Sequence, residues 1–343
     1  MLRGGRRRFF ARSPSKDGAQ GMNRKPIVVV GSINIDLVAR AERIPLTGET
    51  VHSNDFQKHP GGKGANQAVA VARLGYPVRM VGNLGSDAFG EELRAELVRS
   101  GVDARSVQIL NGPSGVAMIA VAPNGDNAIV VTPGANALLS PKDVDDNVDA
   151  ISKAGVVLTQ LEIPLETVLH LGKLCVRMGV PLILDPAPAR ALPADLLRCV
   201  SWLTPNETEI GCSIPEISRP LNSQESSKIV DALLKHCRNG VVLKMGSRGS
   251  YVATKAGFRQ HVNAFHVTAV DTTAAGDAFN GAFAVGLMLG KSPLESAQFA
   301  AAAGAVSVTR PGAQPSMPTM NEVNLMLTGG ARRDLGAPKK KSH

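Results

Sequence analysis

The sequence predicts an α/β protein: a central, mostly parallel sheet with helices on both faces, and a small antiparallel β lid standing off it. Three observations carry this. Short, continuous β-branched runs recur along the chain and read as strands buried on both faces. Helical patterns alternate with them through short connections, as a parallel sheet requires. Two regions break the alternation, show no helical pattern and read as strand–turn–strand.

In order, the run 27–30 is the first strand and ends at Gly31-Ser32. Residues 33–59 are the first lid region, with a turn at Leu46-Thr47-Gly48. A helix over 64–74, a strand over 78–81 and a helix over 88–100 follow. Residues 115–132 are the second lid region, turning at Pro123-Asn124-Gly125-Asp126. The alternation resumes with a strand at 156–158, a helix at 165–178, a strand at 182–184, a helix at 226–236 and a strand at 241–243. From 273 to 308 the chain reads as helix after helix, the first running from about Asp277 to Gly290. The expected organisation is a basic, disordered extension over 1–25, one folded body over 26–330 and a basic, disordered tail over 331–343.

At 343 residues, 43% hydrophobic and 20% charged, the chain can bury a sizeable core. That composition excludes a disordered protein and a disulfide-built miniprotein. Aromatics at 3% are poor for stacking bases. The formal charge of +9 suggests an acidic partner until it is divided. Residues 1–25 carry +7 and residues 331–343 carry +4, so the 305 residues between them sum to −2. Nucleic acid is therefore not an expected partner. Cys175, Cys199, Cys212 and Cys237 form no CxxC pair and read as reduced thiols of a cytoplasmic enzyme. No apolar run approaches the ~20 residues that span a bilayer, so no membrane association is expected. The Arg-rich start leaves an organelle transit peptide, a loose tail and chain upstream of a start at Met22 all open.

Three stretches carry the chemistry. In Asp271-Thr272-Thr273-Ala274-Ala275-Gly276-Asp277, small residues precede a helix, so a ligand can approach the backbone. Outward N–H groups and the helix dipole suit a phosphate there. Asp277 is either a helix cap or a general base placed beside that cradle. Gly61-Gly62-Lys63-Gly64-Ala65-Asn66-Gln67-Ala68 also precedes a helix but lacks the P-loop pattern. It is a glycine turn or a second binding loop, with Lys63 and Asn66 as polar contacts. In Gly31-Ser32-Ile33-Asn34-Ile35-Asp36, Asn34 and Asp36 share one side of an extended chain. An amide and a carboxylate there grip vicinal hydroxyls or belong to an ordinary turn.

Together these residues resemble the PfkB carbohydrate kinase family. Gly61–Ala68 and Asp271–Ala282 look like its two signatures. Gly82-Asn83-Leu84-Gly85-Ser86-Asp87-Ala88-Phe89-Gly90 resembles its G-x-x-G-x-D-x-x-G segment, and Asn206-Glu207-Thr208-Glu209 its N-x-x-E motif. Gln160-Leu161-Glu162, Asp185-Pro186-Ala187-Pro188-Ala189 and the stretch Thr309 to Ser316 point to its ribokinase branch.

The resemblance implies ATP-dependent phosphorylation of the 5-hydroxyl of D-ribose, to D-ribose 5-phosphate and ADP. It makes Asp277 the general base and Ala274, Ala275 and Gly276, with Asp277, the anion hole. Asn34, Asp36, Gly62, Lys63, Gly64, Ala65, Asn66 and Glu162 would hold the sugar with Asp277. Asn206, Lys244, Met245, Gly246, Ser247, Arg248 and Gly249 would serve ATP with Gly276, Asp277 and Ala301. Glu209 would reach Mg²⁺ through water. Asp271, Thr273, Ser307, Arg310, Gly312 and Ser316 would bind a monovalent cation, K⁺, mainly through backbone oxygens. The lid strands would pair two copies into a homodimer. Relatives often place a His or Asn where Ala301 stands, so the adenine contact departs from the pattern. Trp202 reads as core and not as an adenine stack. Sister kinases for deoxyribose, fructose or 2-keto-3-deoxygluconate remain alternatives, as does a non-catalytic sugar sensor.

Overall fold

The computed structural model describes residues 24–213 and 223–329. All but Arg24 and Lys25 of the expected extension, and the whole expected tail, lie outside the described residues.

Strand β1 (Ile27–Val30) is fully buried. The chain then leaves the main sheet for the hairpin β2 (Asn34–Ala41) and β3 (Ser53–Gly61). It returns through α1 (Lys63–Arg73), β4 (Val78–Gly85), α2 (Ala88–Arg99) and β5 (Asp103–Leu110). The second lid hairpin is β6 (Gly115–Val121) and β7 (Asn127–Thr132). After a 3₁₀ turn at Gly134–Leu138 come α3 (Pro141–Asp146), α4 (Val148–Ser152), β8 (Val156–Thr159), α5 (Leu165–Met178), β9 (Leu182–Leu184) and α6 (Ala194–Leu197). Then follow β10 (Trp202–Leu203), α7 (Glu207–Ser213), α8 (Ser223–Leu234), β11 (Gly240–Lys244), β12 (Ser250–Thr254) and β13 (Arg259–Val262). Helices α9 (Ala275–Met288), α10 (Pro293–Ser307) and α11 (Met320–Leu327) close the fold.

The main sheet runs β13-β12-β11-β10-β9-β8-β1-β4-β5. It is parallel from β11 to β5, with β12 and β13 added antiparallel at one edge. Side-chain alternation divides the core. Ile27 and Val29 pack with residues of α1, α9 and α10, while Val28 and Val30 pack on the other face with residues of α5 and α8. The lid sheet runs β3-β2-β6-β7. Each hairpin is antiparallel as expected, and the two join through a parallel β2–β6 pair. Sequence gives no sign of that join, because β2 and β6 are far apart along the chain.

Strands β5, β12 and β13 were not expected from the sequence. Strand β5 mixes Asp, Arg and Gln into its alternation, and β13 reads Arg-Gln-His-Val; both are edge strands. Strand β12 follows its hairpin turn directly. Trp202 is core, as expected: it meets Phe283 edge-on at 5.3 Å and lies over Gly240.

A Cβ on Gly240 would stand 2.2 Å from the Trp202 ring and 2.6 Å from the Ala253 carbonyl oxygen. Gly240→Ala should therefore lose about 1–3 kcal/mol of stability by overpacking, measured by urea unfolding. An unchanged midpoint would place the ring elsewhere.

Candidate active site

The site gathers at the C-terminal ends of the parallel strands, where open α/β sheets bind ligands. Chain leaving β1 supplies Asn34 and Asp36. Asn34 is buried, and its Oδ1 accepts from Asn136 Nδ2 at 2.7 Å. Asn136 is itself fixed on Ile33, taking its N–H at 2.9 Å and giving to its carbonyl at 3.1 Å. Gly115 is required here, since a Cβ would stand 2.1 Å from Asn34 Oδ1. The carboxylate of Asp36 lies over Gly61, where a Cβ would meet Oδ2 at 2.2 Å. Gly62 turns the chain into α1 at φ 84°. Glu162, just past β8, accepts from Ser32 Oγ at 2.5 Å and from the Lys63 N–H at 3.0 Å. The fold thus brings Asn34, Asp36, Gly62, Lys63, Gly64 and Glu162 together in one constellation. Ala65 is not part of it: its side chain is fully buried in the core and its N–H goes to the Ser32 carbonyl at 2.9 Å.

Asp277 sits in the first turn of α9 with 5% exposure. Two residues of α1 hold its carboxylate, Asn66 Nδ2 on Oδ2 and Gln67 Nε2 on Oδ1, each at 3.0 Å. Gln67 Nε2 also reaches Asp185 Oδ2 at 3.0 Å, and Gln67 Oε1 accepts from Gln160 at 2.7 Å. Lys244 Nζ donates to Asp185 Oδ1 at 2.9 Å. Burial pushes the Asp277 carboxyl up to about 6, with the charge of Asp185 adding to the rise; Lys63, Asn66 and Gln67 pull the other way. Asp36 is raised to about 7 by burial, then by Glu162 and Asp277, against Lys63. Burial disfavours the Lys63 ammonium, yet Asp277, Asp185, Glu162 and Glu209 more than offset it and hold its pKa above the usual lysine range.

Of the two readings of Asp277, the helix cap is not formed. Ala274, in the left-handed conformation at φ 59°, is the N-cap residue, so α9 begins two residues earlier than predicted. Among the described residues no acceptor takes the N–H of Gly276 or Asp277. Those donors remain available to an anion. Beside them opens a cavity of about 330 Å³ lined by Lys244, Gly246, Ser247 and Gly249, by Gly276, and by Phe265, His266, Phe279 and Ala301. Ala301 borders it, and His266, which no sequence motif marks, brings a polar ring to the same wall. Two expected wall residues are elsewhere. Met245 is buried with α8, its Sδ 3.8 Å from Ser226 Oγ. Arg248 turns outward to pair with Glu207.

Asn206 and Glu209 form a reciprocal cap at the start of α7. Asn206 Oδ1 accepts from the Glu209 N–H at 2.8 Å, and Glu209 Oε2 from the Asn206 N–H at 2.7 Å. The N-x-x-E spacing therefore has a structural task as well. Glu209 is 7% exposed, and burial raises its pKa against Lys244.

Asp271 ties two chain segments together, taking the Thr273 N–H at 2.9 Å and the Gly312 N–H at 2.9 Å. This brings the end of α10 at Ser307 and the loop holding Arg310, Gly312 and Ser316 next to the α9 entry. The Arg310 guanidinium donates to the Ser316 carbonyl at 3.2 Å and to Glu322 at 2.9 Å. The sequence reading missed Gln67, Asn136, Gln160 and Asp185 as site residues. Gln67 and Asp185 stood inside quoted motifs; nothing local marks Asn136, whose partners are about a hundred residues away.

The chain matches the model of the pfkB family carbohydrate kinase over residues 24–320. It is 40% identical over 306 residues to a ribokinase of Schizosaccharomyces pombe, covering 87% of this chain and 96% of the relative. It is 34% identical to a deoxyribokinase of Salmonella typhi, covering 88% of this chain and 98% of that protein. The structure of Arabidopsis thaliana ribokinase complexed with ribose and ATP superposes with a TM-score of 0.81 at 36% identity, over 89% of this chain and 99% of that one.

A base at Asp277 works only when ionised. Activity should therefore fall as pH drops through about 6, with Asp36 adding a second step near 7. A pH profile of kcat/KM checks this; a flat profile from pH 8 to 5 contradicts it.

Proposed function

Because this chain belongs to the pfkB family of carbohydrate kinases, we propose that it transfers the γ-phosphoryl group of ATP to the 5-hydroxyl of D-ribose. The products are D-ribose 5-phosphate and ADP. One observation carries the reading: a buried carboxylate, Asp277, stands where the polar sugar-side constellation meets the N-terminus of α9 and the nucleotide-sized cavity.

Ribose is held by Asn34, Asp36, Gly62, Lys63, Gly64 and Glu162. Asp277 takes the proton of the 5-hydroxyl. The freed oxygen lone pair bonds to the γ-phosphorus, and the bond from that phosphorus to the β–γ bridging oxygen breaks. ADP leaves with that electron pair. The Gly276 and Asp277 N–H groups receive the charge on the transferring group, with the α9 dipole behind them. The protein's part is mainly positioning and electrostatic stabilisation.

Mg²⁺ and K⁺ belong to this reading. No group of three His, Cys, Asp or Glu side chains among the described residues is arranged for a metal. Mg²⁺ would come with the ATP phosphates, with Glu209 reached through water. Mg²⁺ would supply positive charge to the phosphates. At the Asp271 loop the donors are one carboxylate and several neutral oxygens, a set that fits a weakly hydrated ion. K⁺ would be held by Asp271, Thr273, Ser307, Arg310, Gly312 and Ser316, and would supply positive charge near the start of α9.

The lid reading extends to a homodimer. Strand β7 is exposed along its whole length, and Phe56, Met118, Ile129 and Val130 stand out from the lid. A second copy packed lid against lid would cover these apolar groups and the free edges. The location is read as cytoplasmic; no helix among the described residues is long and apolar enough to cross a membrane.

An ATP-consumption panel over ribose, deoxyribose, fructose and 2-keto-3-deoxygluconate should give the highest kcat/KM with ribose. A clear preference for another sugar overturns the substrate assignment. Asp277→Asn should lower kcat by about 10²–10⁴-fold while the protein stays folded. Replacing K⁺ with Na⁺ should lower activity, and equal rates in both salts contradict the cation site.

A further inference from the structure

Lys244 ends β11, with its side chain 13% exposed and its Nζ on Asp185, itself 3% exposed. A buried ion pair is costly to desolvate, and an apolar pair of similar size would tie β11 to β9 as well. What an apolar pair could not do is put an ammonium on the cavity wall. Lys244 lines the cavity, and a Cβ on Gly276 would stand 3.5 Å from its Nζ. The ammonium is therefore next to the available N–H groups of α9. It carries three donors, and the bond to Asp185 uses one.

The pair is also wired to the base. The other oxygen of Asp185 accepts from Gln67 Nε2, and the same nitrogen donates to Asp277 Oδ1. Gln160 fixes the orientation of the Gln67 amide by donating to its Oε1. Lys244, Asp185, Gln67 and Asp277 form one continuous buried chain from the cavity wall to the base. Burial works against the Lys244 charge, while Asp185 and Glu209 keep it protonated.

We propose that Lys244 is a further catalytic residue, whose ammonium contacts the transferring phosphoryl group, and that Asp185 and Gln67 are positioning residues that hold it in register with Asp277. This rests on the reading of the site as an ATP-dependent sugar kinase. The bridging role of Gln67 explains why one amide nitrogen is shared between two carboxylates. It ties the base to the carboxylate that holds the ammonium.

The test compares the unaltered enzyme with Lys244→Met, Lys244→Arg, Asp185→Asn and the double variant Asp185→Asn/Lys244→Met. Two readouts are needed: steady-state kinetics, and calorimetric binding of ADP and of the β,γ-methylene analogue of ATP, both with Mg²⁺. Lys244→Met should lower kcat about 10²–10³-fold, the usual loss for one donor to a transition-state oxyanion, and leave the KM for ribose unchanged. It should weaken the analogue at least about tenfold more than ADP, which has no γ-phosphate. Lys244→Arg should recover part of kcat. Asp185→Asn should lower kcat with little change in ADP affinity. The double variant should regain thermal stability lost in Lys244→Met, because no buried carboxylate is left unpaired, without regaining kcat. A stable double variant with kcat within about threefold of the unaltered enzyme overturns the proposal, as does equal weakening of ADP and analogue. In either case the kinase reading stands if the unaltered enzyme still turns over. An unaltered enzyme that binds neither nucleotide overturns both.

Discussion

Five acids and two lysines share one buried volume at the ends of the strands: Asp36, Glu162, Asp185, Glu209 and Asp277 against Lys63 and Lys244. The excess of carboxylates is the constraint that the rest of the site answers. Burial raises the pKa of Asp36, Glu209 and Asp277, so each binds a proton more readily than in water. Amides of α1 supply hydrogen bonds to Asp277, and Lys63 acts on all five acids. This electrostatic arrangement brings the Asp277 carboxyl to about 6, a range suited to the proposed general base. It also means that a polyanion such as ATP meets an acidic neighbourhood. The compensating positive charge is local: the open N–H groups of α9, the two ammonium groups, and the cations that the reading brings with the substrate and to the Asp271 loop.

The architecture explains why these groups meet. Asn34 and Asp36 follow β1, Glu162 follows β8, Asp185 follows β9, Asn206 follows β10, and Lys244 ends β11. In a parallel sheet all these ends point the same way. Helices α1 and α9 then pack on one face with their N-termini at that edge. Glycine sets the tolerances. Gly61 and Gly115 leave space only because no Cβ intrudes on Asp36 or Asn34.

Much of this was legible in the sequence, for reasons that differ by element. Buried parallel strands announce themselves as unbroken β-branched runs, and the two lid regions by the absence of helical spacing. Asp277, Lys63 and Asn34 were visible because each lies in a local pattern with its own chemistry. What was hidden is what depends on distant chain. The parallel join of β2 to β6, the hold of Asn136 on Asn34 and the sharing of Gln67 between Asp185 and Asp277 each link residues about eighty to two hundred positions apart. Edge strands β5 and β13 were hidden because solvent relaxes the demand for apolar residues. Met245 and Arg248 were misplaced because a motif names a loop but not the direction of each side chain. The +9 charge misled for a simpler reason: it resides in terminal segments, and the catalytic body sums to −2.

The central claim is that the buried Asp277 is where sugar and phosphate meet. The most direct measurement is an experimental structure with ribose and the β,γ-methylene analogue of ATP bound together. The account predicts the ribose 5-hydroxyl within hydrogen-bonding distance of Asp277, with a γ-phosphate oxygen on the Gly276 and Asp277 N–H groups. A sugar bound with its 5-hydroxyl away from Asp277, or a nucleotide whose γ-phosphate lies off the N-terminus of α9, would contradict it.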